Sequence, residues 1–403
     1  MKANVATPIT IAAIVVFMSA CNKEHELLNN NEFFRKDESA TQVIDYNSIN
    51  TDMVWEDRVN GVDYTVKSNL VLNARLTIKP GVTVMFEDGA GIQVNEEGAI
   101  TAIGEDANRI LFTSKSGKRG AWKGITVLSN SPMNVFSFCK IEHGGGNNSF
   151  GSANLIIGSG DNSAMAEVSH SEITASKTAG ILLSKGSKLH GFVHNIIHTN
   201  TTFPLTMSFS DVFAIESSNR FSNNGMEFIE LSENGRMITE PVALPKCQEP
   251  YLVSGEINIG NELKIAPGVK IYMNTNSGIT IDGKRGNGSF YAVGQPNQPI
   301  QIAAIYNSAG VWGAIKFKSS YSDNNRIEYC HISGGGLTTY GNEGMISVIN
   351  PEGGMSNITV RNSTIMNSAA IGIYIQSANS EYNSDITTAN QFINCAKGNI
   401  HIE

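Results

Sequence analysis

Four histidines, His170, His190, His194 and His198, fall close together in the chain. Imidazole is the side chain best suited to move a proton or hold a metal near neutral pH. His194 and His198 are four residues apart, which is ligand spacing on a helix, but the surrounding residues read as strand. Exposed polar filler is therefore the reading preferred for these four, with metal binding or proton transfer as the alternative. Trp122 and Trp312 stand at equivalent places before short apolar stretches. An indole face suits the apolar face of a pyranose, so glycan stacking is one role; packing a corner of the fold is the other and the preferred one. Cys139, Cys247, Cys330 and Cys395 are too widely spaced for a zinc ribbon and too few for a disulfide scaffold. Cys139 and Cys330 alternate with Ile141 and Ile332, which places them inward as small apolar residues. The chain has no Asp-Asp pair. No metal site and no cofactor are expected, and calcium has no motif to mark it.

The elements that carry these residues are strands. Charged residues make up 16% of the chain, against roughly 25% in ordinary soluble domains. The 403 residues include 39 glycines and 43 asparagines. Both types tolerate left-handed backbone and suit turns, and both are poor in helix interiors. An all-β chain with many corners follows. The formal charge of −8, without an aromatic-interleaved basic patch, excludes a nucleic-acid partner.

The first twenty residues are a targeting segment. Lys2 precedes an apolar run over residues 9–18, too short for a permanent span. The run ends in Met18-Ser19-Ala20-Cys21, which resembles the lipobox of bacterial lipoproteins. That resemblance implies lipidation of Cys21 and an N-terminal membrane anchor, with acyl chains enough for stable attachment. Asn22 is not the aspartate that retains such proteins on the inner membrane, and Lys23-Glu24-His25-Glu26 is similar to surface-export signals in the Bacteroides group. The expected localisation is the outer membrane, lipid-anchored and exposed on the cell surface. Residues 21–47 read as lipidated N-terminus and tether.

Beyond the tether one long pattern occurs twice. Leu76-Thr77-Ile78-Lys79-Pro80-Gly81-Val82-Thr83-Val84 returns as Leu263-Lys264-Ile265-Ala266-Pro267-Gly268-Val269-Lys270-Ile271. Trp122-Lys123-Gly124-Ile125-Thr126-Val127 matches Trp312-Gly313-Ala314-Ile315-Lys316-Phe317, and Cys139-Lys140-Ile141 matches Cys330-His331-Ile332. Each of the last two is followed by three glycines, expected to open external loops. One copy spans 48–236 and the other 237–403. Within a copy, alternating stretches of three to six residues mark strands with one buried face. An offset of 24 relates Ser171 to Asn195, Ile173 to Ile197 and His170 to His194. That length is one coil of a solenoid with three strands per turn. Stacked coils bury a face that no single coil could bury alone. Roughly sixteen coils at about 4.8 Å give a rod of about 75 Å, with residues 45–63 as its N-terminal cap. Asn195, Asn200, Asn223, Asn224, Asn390 and Asn394 suit an amide ladder from coil to coil. A pair of β-sandwiches is the competing fold, but its strands should be longer.

The run LTIKPGVTVMF, GIQVNEEGAITAIG, ILFTS, WKGI and CKIEHGGG resembles the pectin-lyase-like right-handed parallel β-helix proteins, including bacterial lipoprotein members. The resemblance implies an all-β single rod of two tandem similar halves. Enzymes of this fold are lyases with a basic proton acceptor or hydrolases with clustered aspartates, and neither constellation is evident here. The expected function is a non-catalytic, glycan-interacting surface for binding or display. The alternatives are a polysaccharide lyase or glycoside hydrolase with its site over 144–200, and a protein-binding adhesin or assembly component. Whether the chain is an enzyme stays open at this point.

Overall fold

Short strands with alternating apolar residues stack coil on coil, and every strand pair in the rod is parallel. The computed structural model describes residues 41–403 except 161, 234, 285, 286 and 338–342. The expected signal peptide, Cys21 and most of the tether lie outside the described residues. The first strand, Gln42–Ile44, pairs with Tyr64–Val66, so the rod begins inside the stretch expected to be tether. Residues 45–63 complete this first rung with strands Ser48–Ile49 and Met53–Trp55; they form a coil and not a separate cap.

Strands that recur once per coil build long sheets along the rod. One sheet has 14 strands and runs from Ser48–Ile49 to Gln391–Ile393. An 8-stranded and a 6-stranded sheet accompany its first part, and a 7-stranded and a second 6-stranded sheet accompany its later part. Among the described residues there is no α-helix. Fourteen rungs, about 60 Å at the usual strand spacing, replace the roughly sixteen expected. The reason is coil length: strand partners lie 24 residues apart at Ile173 and Ile197 but 35 apart at Ala292 and Ile327. Inside, residues of successive rungs stack directly. Ile141, Ile173 and Ile197 pair in register and are all fully buried.

Equivalent segments of the two halves do not lie in the same sheet. Cys139–Glu142 belongs to the 8-stranded sheet, whereas its counterpart Cys330–Ser333 belongs to the 14-stranded one. Ile125–Val127 lies in the 14-stranded sheet, and its counterpart Ile315–Lys318 lies in the 7-stranded sheet. The pattern has slipped by one strand in its cycle of three. The slip falls where the 8-stranded sheet ends at Arg220–Ser222 and the 7-stranded sheet starts at Met237–Ile238. Matched surfaces of the halves therefore do not join into one continuous face, as a repeated binding surface would require.

Corners of a single residue set the geometry. Phe138, His170 and His194 each link two strands with φ of 50°, 52° and 55°, a region that side-chain-bearing residues rarely enter. The residue after each corner points inward and satisfies backbone that the turn leaves open. Ser171 Oγ accepts from the Cys139 amide at 3.0 Å, Asn195 Oδ1 from the Ser171 amide at 3.0 Å, and Asn219 Oδ1 from the Asn195 amide at 3.1 Å. Asn200 and Asn224 form a second ladder beneath Ser176. In the later half Ser363 and Asn390 repeat the first ladder, after corner residues Tyr329 and Asn362. Asn223, expected in the ladder, instead occupies a left-handed position on the outside; Asn394 is also outside and left-handed, but donates coil to coil to Asn367 Oδ1 at 3.3 Å. Asn195→Ala should leave buried amides unpaired, at roughly 1–3 kcal/mol for each group. Denaturant unfolding should show a clear loss for Asn195→Ala and a much smaller one for Asn223→Ser; equal losses would contradict the ladder.

Candidate functional site

Both tryptophans lie inside the rod, which removes them as sugar platforms. Trp122 and Trp312 are 0% exposed. Trp122 stacks on Phe86 at 4.1 Å and donates from Nε1 to Glu142 O, while Trp312 donates to Ser333 O. The glycines after each cysteine strand pack against these indoles, and a Cβ on Gly335 would meet Trp312 Cε2 at 2.7 Å; in the first half they lead into the strand-free stretch 147–152, as expected of a loop start. Cys139 and Cys330 are buried, as their alternation implied. Burial pushes the Cys330 thiol up to about 12 and the Cys139 thiol higher still, so neither is a nucleophile.

The four histidines do not form one cluster. His170 and His194 are corner residues of successive rungs, with ring centroids 4.8 Å apart and planes tilted by 32°, and Phe138 stacks on His170 at 4.6 Å. Arg109 donates to the His170 carbonyl at 2.6 Å and lies over the Phe138 ring. His190 is exposed on the 6-stranded sheet. His198 alone joins a polar constellation, on the outer face of the 8-stranded sheet.

Strand register builds that constellation. Leu111, Lys140, Glu172, Ile196 and Arg220 face outward in one row across the strands. Glu142, Thr174, His198 and Ser222 form the next row. Lys140 Nζ bridges Glu142 Oε2 and Glu172 Oε1, both at 3.2 Å. His198 Nε2 lies 3.2 Å from the same Glu172 oxygen, and its Nδ1 lies 2.8 Å from Thr199 Oγ1. Thr113 donates to Glu142 at 2.9 Å, and His143 stands 3.5 Å from that carboxylate. The later half has no such array: His331 and Ser333 occupy the places of Lys140 and Glu142.

Burial alone would raise the Glu172 carboxyl, but Lys140 first and His198 second outweigh it, and the net shift is downward. Burial likewise opposes the charge on Lys140, and the two glutamates reverse it, leaving the ammonium above its ordinary value. Acid–base hydrolysis needs two carboxylates held in different protonation states. Here Glu172 is ionised and tied to an ammonium that also holds Glu142. The array is suited to exchanging hydrogen bonds with hydroxyls. Sequence reading missed Lys140, Glu142 and Glu172 because they meet across a coil of 32 residues rather than 24.

A depressed carboxylate pKa stabilises the folded chain above the unfolded value, about 4.3 for glutamate. That contribution is lost as pH falls through the lower folded value. Thermal melts should therefore fall more steeply below pH 5 in the native chain than in Glu172→Gln. Parallel curves would show that the ion pairs carry no linkage.

Residues 47–167 match the family model described as the pectate-lyase-like beta helix domain. No curated protein matches the chain. Among solved structures, the crystal structure of Dettilon tailspike protein (gp208) aligns at 10% identity with a TM-score of 0.19. The alignment covers 81% of this chain, and the chain spans 63% of that one. From the family match and the stacked parallel sheets, the fold is the pectin-lyase-like right-handed parallel β-helix.

Proposed function

We propose that the chain is a lipid-anchored protein of the cell envelope that binds an extended glycan along the outer face of its 8-stranded sheet, without cleaving it. The observation that carries this reading is the Lys140–Glu142–Glu172–His198 array, present in one half only. It offers donors and acceptors in rows one strand apart, about 4.8 Å, a step comparable to the advance of one sugar along an extended polysaccharide. The net charge of −8 repels polyanions, so neutral glycans are the expected ligands. Attachment through Cys21 and surface exposure complete the proposal.

Binding of the mature chain to immobilised neutral polysaccharides, with turnover followed in the same samples, tests the reading. Lys140→Met and Glu172→Gln should each weaken retention about tenfold, the scale of a hydrogen bond to a charged group. New reducing ends, or products absorbing near 235 nm, would replace it with a hydrolase or a lyase. Capture only by a protein partner would point to an adhesin. Cys21→Ala should abolish incorporation of labelled fatty acid; retained label would refute the anchor.

A further inference from the structure

The two halves differ most instructively at one outward position on the 7-stranded sheet. A cavity of about 410 Å³ lies there, lined by Glu256, Asn276, Ser277, Thr280, Gly313, Ala314 and Lys316. Gly278 sits in register with Glu256, and Thr280 pairs with Lys316. In the first half the same framework carries different groups. Asn69 stands at the place of Glu256, Lys123 at that of Gly313 and Thr126 at that of Lys316. There Lys123 Cβ and Asn69 Oδ1 crowd the space over Gly91, at 3.0 and 3.2 Å from where a Cβ would lie. In the later half the lysine is gone, and the carboxylate of Glu256 lies over Gly278, 2.3 Å from where its Cβ would be. Three changes at matched positions have thus opened a hollow and placed a carboxyl and an ammonium around it.

We propose that this hollow is a binding site for a small zwitterion, a molecule with an ammonium and a carboxylate group a few bonds apart, such as an amino acid or a short peptide. The ligand's ammonium meets Glu256, its carboxylate meets Lys316, and Asn276 and Thr280 supply neutral hydrogen-bonding partners. Among the described residues Lys316 makes no direct ion pair, and Glu256 accepts one side-chain hydrogen bond, from the Thr280 hydroxyl at 2.7 Å, with Lys316 acting on it through space. Packing of its carboxyl end raises the Glu256 pKa, offset in part by Thr280 and then by Lys316. A cationic group arriving beside it would oppose that shift. The volume falls within the range usual for small-molecule pockets. The site lies on a different sheet from the Lys140 array and does not rest on the glycan reading.

Calorimetric titration of the full chain in detergent, at pH 7, with glycine, γ-aminobutyrate and diglycine tests the proposal. Methylamine, acetate and glucose serve as comparison probes. At least one zwitterion should bind tenfold more tightly than methylamine or acetate, and the tightest of the three identifies the charge spacing and the source. Glu256→Gln and Lys316→Thr should each weaken it at least tenfold, and Gly313→Lys, which restores the first half's side chain, should abolish it. Lys140→Met should leave it unchanged, so a failed glycan reading and a failed pocket remain distinguishable. Circular dichroism and melting of each variant report that the rod is intact. No zwitterion binding by the native chain would overturn the proposal. So would equal binding of glucose, or affinity unmoved by the three pocket variants in folded protein.

Discussion

A chain that turns a corner in one residue must still find a partner for every amide it carries inside, and the rest of this rod depends on that requirement. Unpaired buried backbone is expensive. The answer at the corners of the 8-stranded sheet is a column of inward polar groups, Ser171, Asn195 and Asn219, each serving the rung before it. With the corner residues Phe138, His170 and His194 fixed at positive φ, the following strands start in register. Isoleucines then stack inside, and Lys140, Glu172 and His198 come within reach of each other outside.

The slip of one strand between the halves changes what duplication means here. The 14-stranded sheet is continuous, yet its early strands correspond to the 7-stranded sheet and its late strands to the 8-stranded one. The core tolerates this because all three strand positions offer the same inward apolar alternation. Outward residues receive no such protection and have diverged. The carboxylate array belongs to the first half, and the open hollow beside Glu256 belongs to the second. Each half thus retains a common interior and carries its own exterior chemistry.

Much of the fold was legible in the sequence because its signals are local. Alternation gave the strands, the 24-residue offset gave the stacked coils around Ser171 and Asn195, and inward cysteines followed from their phase with isoleucine. What was hidden depends on loop length. Coils of 32 and 35 residues break any fixed offset, so the meeting of Lys140 with Glu172 has no sequence period. The tryptophans left two roles open for a different reason, and the preferred one, packing, holds: an aromatic before a short apolar stretch reads alike whether its ring faces out or, as with Trp122 on Phe86, packs inside. The slip between the halves was likewise invisible, since matched segments keep their order whichever sheet they enter.

The central claim is that one face, the outside of the 8-stranded sheet, meets the ligand. Hydrogen–deuterium exchange of the mature chain with and without a retained neutral polysaccharide tests it most directly. The account predicts added protection confined to peptides spanning Cys139–Glu142, Glu172–Thr174 and Ile196–His198. Protection centred instead on Ile315–Lys318 or on the 6-stranded sheet around His190 would contradict it.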